Sequence, residues 1–157
     1  MATVVVVFWS RMGSTERLAL AAAVGAVQAR ANIRLRWLRE DVDETSIDAV
    51  PGWRENRERM LQEYIAPRDI DIEGADGLVL LSPSHVGPDA VEWKSFFELV
   101  ERVASSKPKP AACGHSEFHQ RMTGARLSLV PESPEDAGPD LPERSRLLGR
   151  CVAQACR

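Results

Sequence analysis

The sequence predicts an alternating α/β fold in which helices cover both faces of a five-stranded parallel sheet. Residues 4–9 and 78–81 are short apolar segments without alternation, which is typical of strands buried on both faces. Longer segments with apolar residues at helical spacing lie between such strands, as in residues 89–104. This strict alternation of strands and helices favours parallel strands with a layer of helices on each side.

The predicted elements follow one another without an internal repeat or a low-complexity segment. The second strand differs from the rest, because its apolar and basic side chains alternate and therefore suit a half-buried position near an edge of the sheet. The predicted strands are residues 4–9, 33–38, 78–81, 110–113 and 125–130. The predicted helices are residues 15–30, 53–65, 89–104, a brief one at 117–122 and a last one that follows Asp140.

Local signals indicate how these elements begin and end. The alanine-rich residues 15–30 favour a helix that lies close to the sheet, because its side chains are small. Asp140 can cap the last helix, and Pro142 suits its first turn. The acidic residues 40–52, which end in Pro-Gly, and the segment 131–140 are predicted loops by composition.

Composition and charge fit one globular domain over residues 1–157. The net charge of −3 argues against a dedicated nucleic-acid binder, which usually carries a clustered basic face. No apolar run is long enough to insert into a membrane, and no signal peptide is visible. The three cysteines include no C-x-x-C pair and do not imply a disulfide framework, so a cytoplasmic location is expected.

The loop after the first strand has the features of an anion site. Residues 10–13 read Ser-Arg-Met-Gly, and a helical pattern begins at Ser14-Thr15-Glu16. Backbone N–H groups in such a loop and first turn lack helical partners, and the helix dipole favours negative charge there. Ser14 or Thr15 can cap the helix, and Glu16 lies in its first turn, where acids are favoured. We predict that this loop holds a phosphate group, with an ordinary, well-capped strand-to-helix turn as the alternative.

The residues of this loop narrow the kind of phosphate ligand. The chain has neither G-x-x-x-x-G-K-[ST] nor G-x-G-x-x-G, so the triphosphate and dinucleotide fingerprints are absent. The pattern Ser10-x-x-Gly13-Ser14-Thr15-Glu16 resembles the phosphate loop of the flavodoxin-like family, which binds FMN. In that family, backbone amides and hydroxyls hold the phosphate in place of a lysine.

A second loop strengthens this resemblance. Five strands fit the flavodoxin-like order 2-1-3-4-5, a three-layer sandwich in which ligands bind where strand order reverses, between the first and third strands. The third strand ends in a loop of unusual composition, residues 82–87. Residues 75–87 resemble the Ala-Asp-(apolar strand)-x-Pro-x-x-x-Gly segment of flavodoxin-like NAD(P)H:quinone oxidoreductases and FMN reductases. Residues 93–97, Trp-Lys-x-Phe-Phe, resemble the helix that follows it in those proteins.

The resemblance covers most of residues 1–115 and implies a set of FMN-binding residues. The implied phosphate-binding residues are Ser10, Arg11, Met12, Gly13, Ser14 and Thr15. The residues implied to border the flavin ring are Pro83, Ser84, His85, Val86 and Gly87. A third flavin loop is matched more loosely, by Gly114, His115 and Ser116.

The activity implied by the resemblance is reduction of quinones or similar acceptors with NAD(P)H as co-substrate. The flavin would carry the chemistry, so no catalytic side chain is predicted. Two other functions stay open: a one-electron carrier, and a flavodoxin-like binding domain that has lost FMN. The short segment 114–124 motivates the second of these. The sequence leaves open whether the chain forms a homo-oligomer.

Several individual residues have simpler interpretations. His85 suits either a flavin or substrate hydrogen bond or an ordinary polar loop position. Trp9 and Trp93 could stack on an aromatic ligand, but packing in the core or at its rim is favoured. A metal site is not predicted, because the candidates lack a fourth ligand nearby. Those candidates are Cys113, His115 and His119.

Overall fold

A computed structural model describes residues 1–103, 105–130 and 141–157 of the chain. Within these residues, five parallel strands form one sheet in the order β2-β1-β3-β4-β5. The strands are β1 (Thr3–Phe8), β2 (Asn32–Trp37), β3 (Gly77–Leu81), β4 (Lys109–Cys113) and β5 (Leu127–Leu129). The helices are α1 (Ser14–Gln28), α2 (Glu44–Asp48), α3 (Trp53–Glu63), α4 (Asp69–Glu73), α5 (Val91–Arg102), α6 (His119–Gly124) and α7 (Leu141–Ala155). The predicted sheet order and fold class are confirmed.

The central strands are buried on both faces, as their continuous apolar sequences predict. Val5 and Val7 of β1 pack in one core, with α5 and the aromatic side chains around it. Val4 and Val6 point the other way and pack in a second core with α1 and α7. Strand β2 lies at the edge, and its alternating side chains are only half-buried over most of its length. The two cores correspond to the two helical layers of the sandwich.

Helices α1 and α7 approach each other so closely that only glycine fits at two positions. A Cβ atom on Gly25 would lie 1.8 Å from the backbone oxygen of Arg146. A Cβ atom on Gly149 would lie 1.9 Å from the backbone oxygen of Ala22. The alanines of α1 line the same core, which explains how the helix lies so near the sheet and its neighbour.

Two short helices lie where the sequence predicts none. The loop predicted over residues 40–52 contains α2, whose first turn is capped by Asp43 through a bond from the Ser46 amide (2.9 Å). Helix α4 precedes β3, and its buried Asp71 accepts a hydrogen bond from the backbone N–H of Arg68 (3.0 Å). The other helices match their predictions to within a few residues. The predicted loop 131–140, the Asp140 cap and the helix end at Ala104 lie outside the described residues.

The short segment between β4 and β5 is sufficient for a parallel crossover. A 3₁₀ turn over Ser116–Phe118 leads into α6, which then turns into β5. Phe118 is buried against Trp93 of α5, with ring centroids 5.0 Å apart, and so fixes this turn on the sheet. In the described ranges, no helix combines the length and apolar character that a membrane crossing requires.

Candidate functional site

Ser10 organises the loop between β1 and α1. Its side chain is buried, and its Oγ accepts hydrogen bonds from the backbone N–H groups of Gly13 (3.2 Å) and Glu16 (3.3 Å). Gly13 occupies the N-cap position with a left-handed backbone (φ 99°), a conformation that favours glycine. The prediction that Ser14 or Thr15 caps α1 is therefore wrong, because Ser10 reaches the first turn from the loop instead.

The backbone of this loop presents hydrogen-bond donors without protein acceptors. In the described part of the chain, the N–H groups of Met12, Ser14 and Thr15 donate to no protein atom. Met12 and Ser14 are exposed, and Thr15 is buried. These amides are at the N-terminus of a helix of 15 residues, where the dipole adds positive potential. The arrangement suits an anion such as a phosphate group.

A buried carboxylate next to the loop is fully paired. Glu16 accepts hydrogen bonds from both terminal nitrogens of Arg59 (2.6 and 3.0 Å) and from the hydroxyl of Tyr64 (2.6 Å). The Arg59 hydrogen bond holds the pKa of Glu16 below its ordinary value, although burial acts in the opposite direction. Burial and the bond to Glu16 raise the pKa of Tyr64. Because the charge of Glu16 is compensated, it does not oppose an anion in the loop as a bare carboxylate would.

The side chain of Arg11 is engaged by two neighbouring residues, Trp53 and Glu40. Its guanidinium group lies over the ring of Trp53, 4.1 Å from the centroid. The Nε and Nη2 atoms donate to one oxygen, Oε2, of the buried Glu40 (3.2 and 3.0 Å). The other oxygen of Glu40 is buried without a hydrogen-bond partner in the described residues. Burial raises the pKa of Glu40 in spite of Arg11.

The loop after β3 is attached to α5. Ser82 Oγ donates to the backbone oxygen of Val86 (2.8 Å) and accepts a hydrogen bond from the indole N–H of Trp93 (3.0 Å). A backbone bond from Val86 to Pro83 (3.0 Å) closes the turn. Ser84 and His85 are exposed at its tip, whereas Pro83, Val86 and Gly87 are half-buried. The turn therefore presents polar atoms and one imidazole ring to its surroundings.

The loop after β4 lies beside the loop after β3. His115 Nε2 donates to the backbone oxygen of Ser82 (2.6 Å). A Cβ atom on Gly87 would lie 3.5 Å from a carboxylate oxygen of Glu117, so the two turns are in contact. Gly114 accepts a hydrogen bond from Arg144 of α7 (3.1 Å). The structure thus brings the second and third predicted loops together.

The first and second loops meet at Trp9. Its backbone N–H donates to the backbone oxygen of Leu81 (3.0 Å), and its ring meets that of His85 edge to face at 5.9 Å. The predicted residues of all three loops therefore lie at the carboxyl edge of neighbouring strands β1, β3 and β4. This is where strand order reverses, the position at which parallel sheets bind ligands.

Two further features of this edge have no signal in the sequence. A cavity of about 570 Å³ lies over the ends of β4 and β5, and its lining includes Cys113, Gly114, Ser116, His119 and Arg144. The pairing of Glu16 and Glu40 with arginines joins residues 43 and 29 positions apart. In the described part of the chain, no three His, Cys, Asp or Glu side chains form a cluster suited to a metal ion.

Sequence comparisons place this chain near quinone-linked dehydrogenases. It is 27% identical over 103 residues to an "NAD(P)H dehydrogenase (quinone)" of Archaeoglobus fulgidus, an alignment that covers 66% of this chain and 53% of that protein. It is 29% identical over 101 residues to a protein of the same name from Deinococcus radiodurans, with 64% and 50% covered. The chain spans about half the length of these curated relatives. No protein-family model matches it.

Solved structures share the fold across nearly the whole chain. A diflavin flavoprotein from Nostoc sp. superposes with a TM-score of 0.61 at 13% identity, covering 99% of this chain and 93% of that one. The flavodoxin of Megasphaera elsdenii gives a TM-score of 0.57 at 19% identity, with 96% and 98% covered. The chain therefore has the flavodoxin-like fold, and its sequence is similar to those of NAD(P)H dehydrogenases (quinone).

Proposed function

We propose that this chain binds FMN and reduces quinones or similar acceptors with electrons from NAD(P)H. The observation that carries the proposal is the set of backbone amides without acceptors at the N-terminus of α1, next to the carboxyl end of β1. The names of the curated relatives support the choice of reaction. We expect a cytoplasmic location, because the three cysteines include no C-x-x-C pair and imply no disulfide framework.

The chemistry of the three loops supports FMN as the ligand. The phosphate would be held by the backbone of Arg11, Met12, Ser14 and Thr15, in a loop that Ser10 and Gly13 shape. We assign the backbone of Arg11 to this role because Glu40 and Trp53 already engage its guanidinium group. The turns after β3 and β4 would border the ring, at residues 83–87 and 114–116. Their polar atoms and half-buried surfaces suit a flat, polar-edged ligand.

When bound, FMN supplies hydride and electron transfer. The protein holds and orients the cofactor. The carbonyl of Ser82 joins the two turns by accepting a hydrogen bond from His115. Its hydroxyl attaches them to α5 by accepting a hydrogen bond from Trp93. The paired Glu16 holds α3 and the residue after it against the start of α1, through Arg59 and Tyr64. No side chain is assigned as a general acid or base, since the proposed chemistry belongs to the cofactor.

An absorbance spectrum and a turnover assay test this proposal. The purified protein is mixed with excess FMN, desalted and scanned for the visible bands of the flavin. We expect these bands to be retained, and NAD(P)H oxidation to accelerate when a soluble quinone is added. Retained flavin without NAD(P)H-dependent turnover would favour the one-electron carrier. A protein that retains no FMN would contradict both redox functions and leave the flavodoxin-like binding domain.

A further inference from the structure

Trp9 lies between the loops that follow β1 and β3. It follows β1 directly, precedes Ser10 of the phosphate loop, and is only 5% exposed. Its backbone bond to Leu81 fixes it against the carboxyl end of β3. Burial agrees with the packing role that the sequence favours, but packing does not account for the polar atom of its ring.

The indole N–H of Trp9 is buried and has no acceptor among the described residues. Two other tryptophans at this edge are satisfied. Trp37 donates to the backbone oxygen of Ser10 (3.2 Å), and Trp93 donates to Ser82 Oγ (3.0 Å). These bonds stabilise the loops that follow β1 and β3. A buried donor without a partner is unfavourable and rare, so the N–H of Trp9 calls for an acceptor from outside the protein.

The neighbours of Trp9 indicate which part of a ligand supplies that acceptor. Along the chain, Trp9 is followed directly by Ser10, whose hydroxyl shapes the predicted phosphate loop. In space, the ring of Trp9 meets the ring of His85 edge to face, and His85 belongs to the predicted ring loop. Trp9 is therefore placed between the sites for the two ends of FMN, where the chain that joins them must pass.

We infer that the indole N–H of Trp9 donates a hydrogen bond to an oxygen of the phosphoribityl chain of bound FMN. The inference rests on the proposed binding of FMN and adds a specificity-determining residue to it. An indole N–H only donates, so it selects a hydroxyl or phosphate oxygen and gives nothing to an apolar group. Trp9 thus favours flavins that carry the chain over the bare ring system.

Nuclear magnetic resonance of the wild-type protein gives the first test. In a ¹H–¹⁵N spectrum, the Trp9 indole signal is expected to move downfield when FMN is added and to show a nuclear Overhauser effect to ribityl protons. The indole N–H groups of Trp37 and Trp93 already have acceptors, so they serve as internal controls that should show no nuclear Overhauser effect to ribityl protons. An unchanged Trp9 signal in a protein that binds FMN would overturn the inference and leave the proposed function intact.

The variant Trp9→Phe gives the second test, because it removes the N–H and keeps an aromatic ring. We expect its Kd for FMN to rise about three- to tenfold, the usual effect of one hydrogen bond. Its Kd for lumiflavin, which lacks the ribityl chain, is expected to stay within about twofold of the wild-type value. Equal losses for both ligands, or none for FMN, would contradict the inference. Wild-type protein that binds no FMN would contradict the proposed function itself.

Discussion

Replacement by glutamine should destabilise the protein at one of two buried glutamates near the phosphate loop and have little effect at the other. Glu16 accepts three hydrogen bonds, from Arg59 and Tyr64, and both of its oxygens are used. Glu40 accepts both bonds of Arg11 on one oxygen, while its other oxygen is buried without a partner in the described residues. The burial of Glu16 is therefore compensated by hydrogen bonds, whereas that of Glu40 is compensated only in part.

We expect Glu16→Gln to lower the free energy of unfolding at pH 7 by about 2 kcal/mol. Each charge-assisted bond contributes about 1.5–3 kcal/mol in favourable surroundings, but 41% of the Arg59 side chain is exposed and solvent screening reduces the sum. Glu40→Gln removes a charge whose burial is unfavourable. We therefore expect its free energy of unfolding to stay within about 0.5 kcal/mol of the wild-type value. Urea denaturation of both variants and wild type, followed by circular dichroism, measures the difference.

The dependence on pH separates these two roles further. The pKa of Glu16 is lowered by folding, so its contribution is present above the unfolded pKa and is lost as pH falls through the folded value. The pKa of Glu40 is raised, so its contribution is present below the unfolded pKa and is lost as pH rises through the folded value. Between pH 7 and about pH 4, the loss of unfolding free energy in Glu16→Gln relative to wild type should become smaller. Over the same range, wild type should gain stability relative to Glu40→Gln. This reasoning would be refuted if Glu16→Gln and Glu40→Gln lost equal free energies of unfolding at pH 7. It would also be refuted if the two differences from wild type changed in the same direction with pH.

Further predictions concern the fold. Gly149→Ala should destabilise the protein by about 1–3 kcal/mol, because its Cβ atom would lie 1.9 Å from the backbone oxygen of Ala22 and force α1 and α7 apart. The matched control Gly124→Ala has no atom within 4 Å of its Cβ and should be neutral or stabilising in thermal unfolding. Lys109→Met should lower the free energy of unfolding by about 1–3 kcal/mol, because the ammonium group of Lys109 donates to three backbone carbonyls at and just after the end of α4. The exposed Lys107→Met should have little effect, and equal losses in the two lysine variants would contradict this role.

The sheet and the three loops are predictable because their signals are local. A continuous apolar strand must be covered on both faces, so the sequences of β1 and β3 predict central strands. The loop after β1 carries its small polar residues and glycine in one short stretch, and the topology then places residues 82–87 beside it. These inferences need only the sequence near each element and the rule for where strand order reverses.

The contacts that hold the site together are not predictable in this way. Arg59, which pairs with Glu16, is 43 positions away in the sequence. Nothing in the charged face of α3 distinguishes it from a solvated arginine. Helix α1 illustrates the same limit, because its alanines face the core while Val24 and Val27 are about half exposed. The close approach of α7 at Gly25 requires this orientation, and hydrophobicity alone would favour the opposite one.

Binding of FMN to the loop after β1 is the central claim, and a fluorescence titration tests it most directly. We expect the flavin fluorescence to change saturably with one FMN per chain. Ser10→Ala should weaken binding about tenfold, because the amides of Gly13 and Glu16 lose the acceptor that shapes the loop. The exposed Ser128→Ala on β5 is the matched control and should bind as wild type does. Absence of saturable binding, or equal affinities for wild type and Ser10→Ala, would contradict the claim that this loop holds the FMN phosphate.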